Sequence, residues 1–226
     1  MAQCPRFDAV CFDCDSTLTR IEGIDELARR AGRGAEIASL TEAAMNGAVS
    51  LEAVYAKRLA LVRPDEAALA WLAERYAEEM VSGAAETITT LRRRGKAVYV
   101  VTSGLLQAVA VFARTLGLLP AQVHAVEVYL DAAGAYQGFD SSSPLCYSDG
   151  KAVICRRLAA VHSSIAIVGD GVTDLTARAS GAYVVGYGGV VQRYIMRQEA
   201  DCYIAGPSLT ATLPVLLSTK QTMGEL

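Results

Sequence analysis

The sequence predicts an α/β fold, a Rossmann-like parallel sheet core interrupted by a helical insertion, and three observations carry that prediction. Short aliphatic runs alternate with helix-period segments along the chain. Two of those runs end in clustered aspartates: residues 7–12 lead into Asp13-Cys14-Asp15, and residues 165–168 into Gly169-Asp170-Gly171-Val172-Thr173-Asp174. The first two parallel strands end far apart, one at Asp13 and the next at Thr102, 89 residues on. A simple parallel crossover needs far fewer residues.

Taken in order, residues 7–12 form an unbroken apolar run and read as a buried strand. The segments 22–31, 36–45, 50–62 and 65–80 are helical by period and by end signals, with Ser50 as an N-cap and Pro64 at a first helical position. Helix 85–94 stops at Gly95 and supplies the crossover to strand 97–101. Val126-Glu127-Val128-Tyr129-Leu130 and residues 136–139 flank the turn-like Asp131-Ala132-Ala133-Gly134 and read as a hairpin. Lys151 opens a helical segment with the apolar stripe Ile154, Leu158 and Val161, and strands 165–168 and 183–185 complete the sheet. The expected division is a catalytic core of residues 1–17 and 81–226 and a cap of residues 18–80. The cap is expected over the carboxyl ends of the strands, where open α/β sheets bind ligands.

Composition narrows the partners. A net charge of −3 over 226 residues provides no broad basic field for nucleic acid or anionic lipid. The long uncharged stretch of residues 97–113 is interrupted by Thr102, Ser103, Gly104 and Gln107, whereas a spanning helix needs about 20 mostly apolar residues. No leader pattern precedes the first strand, so the expected location is cytoplasmic. The six cysteines, at positions 4, 11, 14, 146, 155 and 202, lack the density of a disulfide scaffold and are expected as free thiols. Cys11-x-x-Cys14 has no second Cys or His pair at zinc spacing.

Asp13 and Asp15 emerge together at a strand tip, an arrangement that suits either helix capping or carboxylate chemistry. The glycine-rich Gly169-Asp170-Gly171 is not a dinucleotide fingerprint, because the position of its third glycine is Asp174. Carboxylates at a phosphate site repel the ligand unless a cation intervenes. Asp13 and Asp170 supply the hard oxygens that Mg2+ prefers, and that ion keeps places for waters and a substrate phosphate. Lys151 sits at the unfavourable, positive end of its helix, as a solvated lysine or as one holding an anion. Thr102-Ser103-Gly104 offers a hydroxyl and backbone N–H groups either to cap the next helix, 105–116, or to bind an anion. Arg58 lies in the middle of the apolar face made by Leu51, Val54, Tyr55, Leu59 and Val62. Its guanidinium either snorkels to the edge or forks onto a carboxylate or phosphate.

In order along the chain, Asp13-x-Asp15-x-Thr17, Thr102, Lys151 and Gly169-Asp170-Gly171-x-x-Asp174 resemble the four motifs of the haloacid dehalogenase (HAD) superfamily. Glu22-Gly23-Ile24-Asp25-Glu26-Leu27-Ala28, Met45-Asn46-Gly47-Ala48-Val49, Arg58-Leu59-Ala60-Leu61 and Gly186-Tyr187-Gly188-Gly189 resemble its phosphoserine phosphatase family, over about residues 7–205. The resemblance implies a three-layer HAD-like sandwich and hydrolysis of O-phospho-L-serine, the last step of serine biosynthesis, through an aspartyl-phosphate on Asp13. It implies Asp15 as acid and base, and Mg2+ on the Asp13 carboxylate, the Asp15 carbonyl and Asp170, with Asp174 in support. Thr102, Ser103, Gly104, Lys151 and Thr173 then face the phosphate, and Glu22, Met45, Asn46 and Arg58 face the serine. Two positions depart from the family pattern: Thr102-Ser103-Gly104 stands where Ser-Gly-Gly is usual, and Asn46 where Gly is usual. The same motifs serve phosphatases of other small esters and phosphotransferases. A receiver-type signalling domain is disfavoured, because Asp15 supplies an acid/base beside the nucleophile and a cap is needless there.

Overall fold

The computed structural model describes residues 7–218, so Cys4 and the reading of the extreme N-terminus lie outside the described residues. The first strand, β1 (Ala9–Phe12), is buried at every position and occupies the centre of the sheet. Four helices follow before the chain returns: α1 (Gly23–Arg30), α2 (Gly34–Met45), α3 (Leu51–Val62) and α4 (Glu66–Glu78). Helix α5 (Ala84–Arg93) then feeds β2 (Ala97–Leu105), followed by α6 (Leu106–Thr115), the edge strand β3 (Val123–Val126) and the hairpin β4 (Val128–Leu130) and β5 (Tyr136–Phe139). Helix α7 (Gly150–Leu158), β6 (Ile165–Gly169), α8 (Val172–Leu175), β7 (Tyr183–Tyr187), α9 (Tyr194–Glu199), β8 (Cys202–Ile204) and α10 (Leu213–Leu216) complete the described chain.

Six strands form one sheet in the order β3-β2-β1-β6-β7-β8, and every pairing is parallel. The strand order therefore reverses between β1 and β6, which opens a crevice at their carboxyl ends. Register aligns the two tips: Phe12 lies opposite Val168, so Asp13 and Gly169-Asp170 leave the sheet side by side. The strands that flank the crevice are buried on both faces, with Val10, Phe12, Val100, Ile167 and Val168 fully enclosed. Such positions demand continuous apolar sequence. Burying one side chain of this size contributes about 1.5–3 kcal/mol.

The four helices between β1 and β2 leave and rejoin the sheet through adjacent segments, since Thr19 and Met80 form an antiparallel bridge. Helix α4 packs along α6, with Tyr76 and Phe112 rings 5.7 Å apart. Among the described residues no helix is long and apolar enough to cross a membrane. Cys11, Cys14, Cys146 and Cys155 are buried and free of disulfides.

Several expectations are corrected. The run 126–130 is not one hairpin arm: Val126 pairs with Leu105 in parallel, and the antiparallel arm begins at Val128. An apolar run without a turn residue conceals a change of sheet, because alternation is the same in both. Strand β2 continues to Leu105, so Thr102-Ser103-Gly104 is extended strand rather than a helix cap. Val161 is exposed beyond the end of α7, so the stripe there stops at Leu158. Pro64 precedes the helix, and the cap is Asp65, whose side chain accepts from the Ala68 N–H at 2.7 Å. Ser50 holds the N-cap position of α3 without a side-chain capping bond. The Leu51 N–H donates instead to Ser148 Oγ at 2.9 Å, and Glu52 accepts from the Ser148 N–H and hydroxyl at 3.0 and 2.8 Å.

These contacts set a stability order measurable by urea unfolding. Asp65→Ala should cost about 0.5–2 kcal/mol, the usual range for a lost N-cap. Ser148→Ala should cost a similar amount, while Ser50→Ala should stay within about 0.5 kcal/mol. A Ser50 variant that unfolds as early as the Asp65 variant would restore Ser50 as the working cap.

Candidate active site

The turn after β1 carries the first two carboxylates. Asp13 is buried, accepts from the Cys14 N–H through Oδ1 at 2.8 Å, and holds Lys151 Nζ through Oδ2 at 2.7 Å. The chain then bends through Ser16, which adopts φ +53, a left-handed conformation that costs a non-glycine residue energy and is found at functional turns. This bend aims Ser16 Oγ at Glu22 Oε1, 2.7 Å away, and brings Asp15 Oδ1 within 2.9 Å of the Gly23 N–H. A side chain at residue 23 is excluded, because a Cβ there lies 2.0 Å from the Tyr76 hydroxyl.

The tip of β6 closes the other side of the crevice. Asp170 is buried and accepts from Arg193 Nε at 3.0 Å. Asp174, on the first turn of α8, accepts from the Gly171 N–H at 3.1 Å and from Lys151 Nζ at 2.7 Å. Gly169 makes room for it, since a Cβ there lies 2.0 Å from the Asp174 carboxyl carbon. Oxygens of Asp13, Asp170 and Asp174 all lie within 4.8 Å of one another. At an effective dielectric of about 20, each like-charged pair at this spacing repels by roughly 3–4 kcal/mol.

The titration behaviour reflects this crowding. Burial and the Asp13 charge raise Asp15 to about 7, against the pull of the nearby Tyr76 hydroxyl and of the bond from the Gly23 N–H. Burial and Asp15 raise Glu22 to about 8. Asp174 rises to about 6 through burial, with Lys151 opposing. Asp170 is pushed well up by burial and by Glu22 and Asp13. For Lys151 burial pulls downward, but Asp13 and Asp174 outweigh it and hold the ammonium charged. Two cations, Lys151 and Arg193, thus face five carboxyl groups: Asp13, Asp15, Glu22, Asp170 and Asp174. A hard divalent cation fits this donor set, because all-oxygen carboxylate ligation is what Mg2+ takes.

Above the carboxylates lies a concave, largely apolar cavity, the usual form of a small-molecule site. Its walls bring together Asp13, Asp15, Glu22, Met45, Arg58, Thr102, Ser103, Gly104, Lys151, Asp170 and Thr173. Asp174 stands behind Lys151, fully enclosed. Asn46 departs from the expected set. It is exposed at the end of α2, outside the cavity wall, and its amide bonds Glu42 and accepts from Arg193 at 3.3 Å. The reason is local: Asn46 follows the last turn of α2 and points along the helix rather than across the cavity.

Arg58 is buried on the apolar face of α3 together with Leu51, Val54, Tyr55, Leu59 and Val62. Its Nη1 donates to Thr41 Oγ1 at 3.1 Å, and Thr41 donates to Asp25 at 2.6 Å. Its Nε has no hydrogen-bond partner among the described residues, and burial lowers its pKa. An enclosed guanidinium with an unused donor is a costly arrangement in the absence of an anion.

Sequence reasoning missed Arg193, Tyr55 and Tyr76. Arg193 reaches the site from the loop after β7, binding Asp170 and approaching Glu42, Asn46 and Glu22. The signal available was that this loop leaves the carboxyl end of a strand next to the crevice. Tyr55 reads from sequence as part of the apolar face of residues 50–62, which its burial bears out, and Tyr76 is fully buried on α4. The Tyr55 hydroxyl nevertheless donates to Ser103 O, and the Tyr76 hydroxyl stands near Asp15 with no hydrogen-bond partner among the described residues.

The family model for haloacid dehalogenase-like hydrolases matches residues 7–181. The phosphoserine phosphatase of Homo sapiens is 34% identical over 199 residues, covering 87% of this chain and 88% of its own length. That of Drosophila melanogaster is 34% identical over 198 residues, covering 86% of this chain and 73% of its own. A solved structure described as a phospho-aspartyl intermediate analogue of phosphoserine phosphatase superposes with a TM-score of 0.77 at 27% identity, over 92% of this chain and 98% of that one. Likeness on this scale, over most of both chains, makes the chain a member of the phosphoserine phosphatase family of haloacid dehalogenase-like hydrolases.

Proposed function

We propose that the protein hydrolyses O-phospho-L-serine to L-serine and phosphate through an aspartyl-phosphate on Asp13, the last step of serine biosynthesis. The observation that carries the substrate is the pairing, in one enclosed cavity, of buried Arg58 with its unused Nε and of Glu22. A zwitterion satisfies both: its carboxylate forks onto the guanidinium and its ammonium meets the Glu22 carboxylate. Relatives named phosphoserine phosphatase support the same substrate.

Asp13, enclosed and held by Lys151, attacks phosphorus and forms the covalent intermediate. Asp15, raised to about 7, donates a proton to the departing serine oxygen and then takes one from the attacking water. Lys151 and Thr102 hold phosphoryl oxygens, with the Ser103 N–H and the Thr173 hydroxyl beside them and the Gly104 N–H bonded to Thr102 Oγ1. Met45 closes the apolar side of the cavity. Asn46 acts from outside it, through Arg193. The Asp13 carboxylate, the Asp15 carbonyl and Asp170 would hold Mg2+, whose charge would offset the carboxylates that the phosphate otherwise meets, and Asp174 supports the site through Lys151. Residues 18–80 serve as the cap that selects the substrate, and residues 1–17 and 81–226 as the catalytic core. The partner is a small phosphomonoester, and the buried free thiols support a cytoplasmic setting.

Chelation should abolish turnover, and added Mg2+ should restore it. Full activity in excess EDTA sinks the metal assignment. Asp13→Asn should be inactive yet folded. Asp15→Asn should still be phosphorylated by nitrophenyl phosphate, whose leaving group needs no proton, and should accumulate phosphoenzyme under acid quench. If none is trapped, the division of roles between the two aspartates is wrong.

Arg58→Ala leaves the substrate carboxylate unpaired, a loss of about 2–5 kcal/mol for a buried charge pair. The expected fall in kcat/KM for phosphoserine is about thirty-fold to a few thousand-fold. Nitrophenyl phosphate and phosphoethanolamine, which lack the carboxylate, should lose much less. Equal losses on every ester would remove Arg58 from substrate recognition.

A further inference from the structure

Tyr55 lies one helical turn before Arg58 on α3, and its ring is buried between Phe139, at 5.3 Å, and the Arg58 guanidinium, at 5.8 Å. Its hydroxyl leaves this apolar setting to donate to the backbone carbonyl of Ser103, at 2.8 Å. That carbonyl belongs to the peptide joining Ser103 to Gly104. The chain contains no cis peptide among the described residues, so the C=O and N–H of this unit point to opposite sides. With its carbonyl fixed toward α3, the N–H of Gly104 faces back along β2 and donates to Thr102 Oγ1 at 3.1 Å.

A threonine hydroxyl has one proton to give and two lone pairs. The Gly104 N–H occupies one lone pair, which leaves the Thr102 proton to be directed into the cavity that Thr102 lines with Asp13 and Asp15. Tyr55 belongs to the inserted helices and Ser103, Gly104 and Thr102 to the sheet. The bonded series Tyr55, peptide 103–104, Thr102 therefore exists only when α3 is seated on the strand tips. Series of this kind polarise one another, so the last donor strengthens as the first bond forms.

We propose that Tyr55 is a positioning residue that makes the phosphoryl grip of Thr102 conditional on seating of the cap. The proposal rests on the reading of Thr102 as a phosphoryl-binding group. It assigns Tyr55 and Arg58, neighbours on one helix, two separate tasks: Arg58 selects the carboxylate, and Tyr55 reports closure to the phosphate end. Burial raises the Tyr55 pKa, which keeps the hydroxyl a donor throughout the working range.

The test is a double-mutant cycle of Tyr55→Phe and Thr102→Val, each retaining side-chain bulk, with steady-state kinetics of the Mg2+-loaded enzyme on phosphoserine and on nitrophenyl phosphate. Tyr55→Phe should lower kcat about five- to thirty-fold, a lost buried hydrogen bond with its acceptor stranded. The loss should be similar on both esters, unlike the loss at Arg58. In the Thr102→Val background the same change should cost less than about twofold, because the series is already broken. Inorganic phosphate should also raise the melting temperature of Tyr55→Phe less than that of the wild type.

Three outcomes overturn the proposal: wild-type kcat in Tyr55→Phe, losses that multiply in the double variant, or a loss confined to the KM for phosphoserine. A purely structural Tyr55 gives the second of these, with a lower melting temperature and unchanged protection by phosphate. A wild type that hydrolyses neither ester removes the phosphatase reading itself, and this proposal with it. A wild type that hydrolyses both while the losses multiply removes the role of Tyr55 alone.

Discussion

The structure is organised around one electrostatic conflict: five carboxyl groups converge at the β1–β6 switch point, and two buried cations stand against them. Lys151 is bonded at 2.7 Å to both Asp13 and Asp174, so it fixes the distance between the two strand tips as well as offsetting their charge. The register of β1 on β6 forces the tips together, and glycines at 23 and 169 let backbone and carboxylates approach this closely. Left without a counter-ion, the arrangement drives its own acids toward the neutral form, as the raised pKa values of Asp15, Asp170 and Asp174 show. A site that must accept a phosphate dianion cannot tolerate that state. On the proposed function, the same conflict accounts for the fit of a divalent cation and for the acid raised to about 7 beside Asp13.

Several polar contacts join the inserted helices to the rest of the chain. Ser148 takes the first N–H of α3 and bonds Glu52, Tyr55 bonds Ser103, and Arg193 bonds Glu42 and Asn46. Helix α4, by contrast, rests on α6 with an apolar seam that includes Tyr76 and Phe112. Apolar area removed from water scales with contact and is not readily exchanged, whereas each neutral hydrogen bond contributes only about 0.5–1.5 kcal/mol net because water replaces it.

Much of this was legible in the chain. The unbroken apolar runs before Asp13 and Asp170 mark the two central strands, because a strand buried on both faces tolerates nothing else. The separation between Asp13 and Thr102 announces an insertion. Arg58 stands out because a guanidinium in the middle of an apolar face requires a partner. What stayed hidden was hidden for physical reasons. Arg193 lies in no periodic element, and its function comes from a loop that only the sheet order brings to Asp170. Ser148 caps a helix 97 positions away in sequence, so local capping rules assign the task to Ser50. Tyr55 and Tyr76 match a core pattern by their rings, and pattern carries no information about where a hydroxyl ends.

The division of labour between sheet and insertion also bears on how specificity is built. On the proposed function, the groups that meet the phosphate belong to the sheet and its flanking helices, Asp13 and Thr102 at strand ends and Lys151 on α7. Those that meet the amino-acid end sit on helices whose position depends on closure. Arg58 has its own ring of support in Thr41 and Asp25, both outside the sheet, so its orientation is set within the insertion before any ligand arrives. An ester lacking the carboxylate can still be gripped by the core, yet it gives Arg58 nothing to bind and leaves that charge enclosed and unpaired when the helices seat. The cost of that unpaired charge falls on closure itself. Discrimination against such esters therefore needs no clash and no extra residue, because the substrate that completes the Arg58 pair is the one that stabilises the closed state in which Thr102, Lys151 and Asp15 act together.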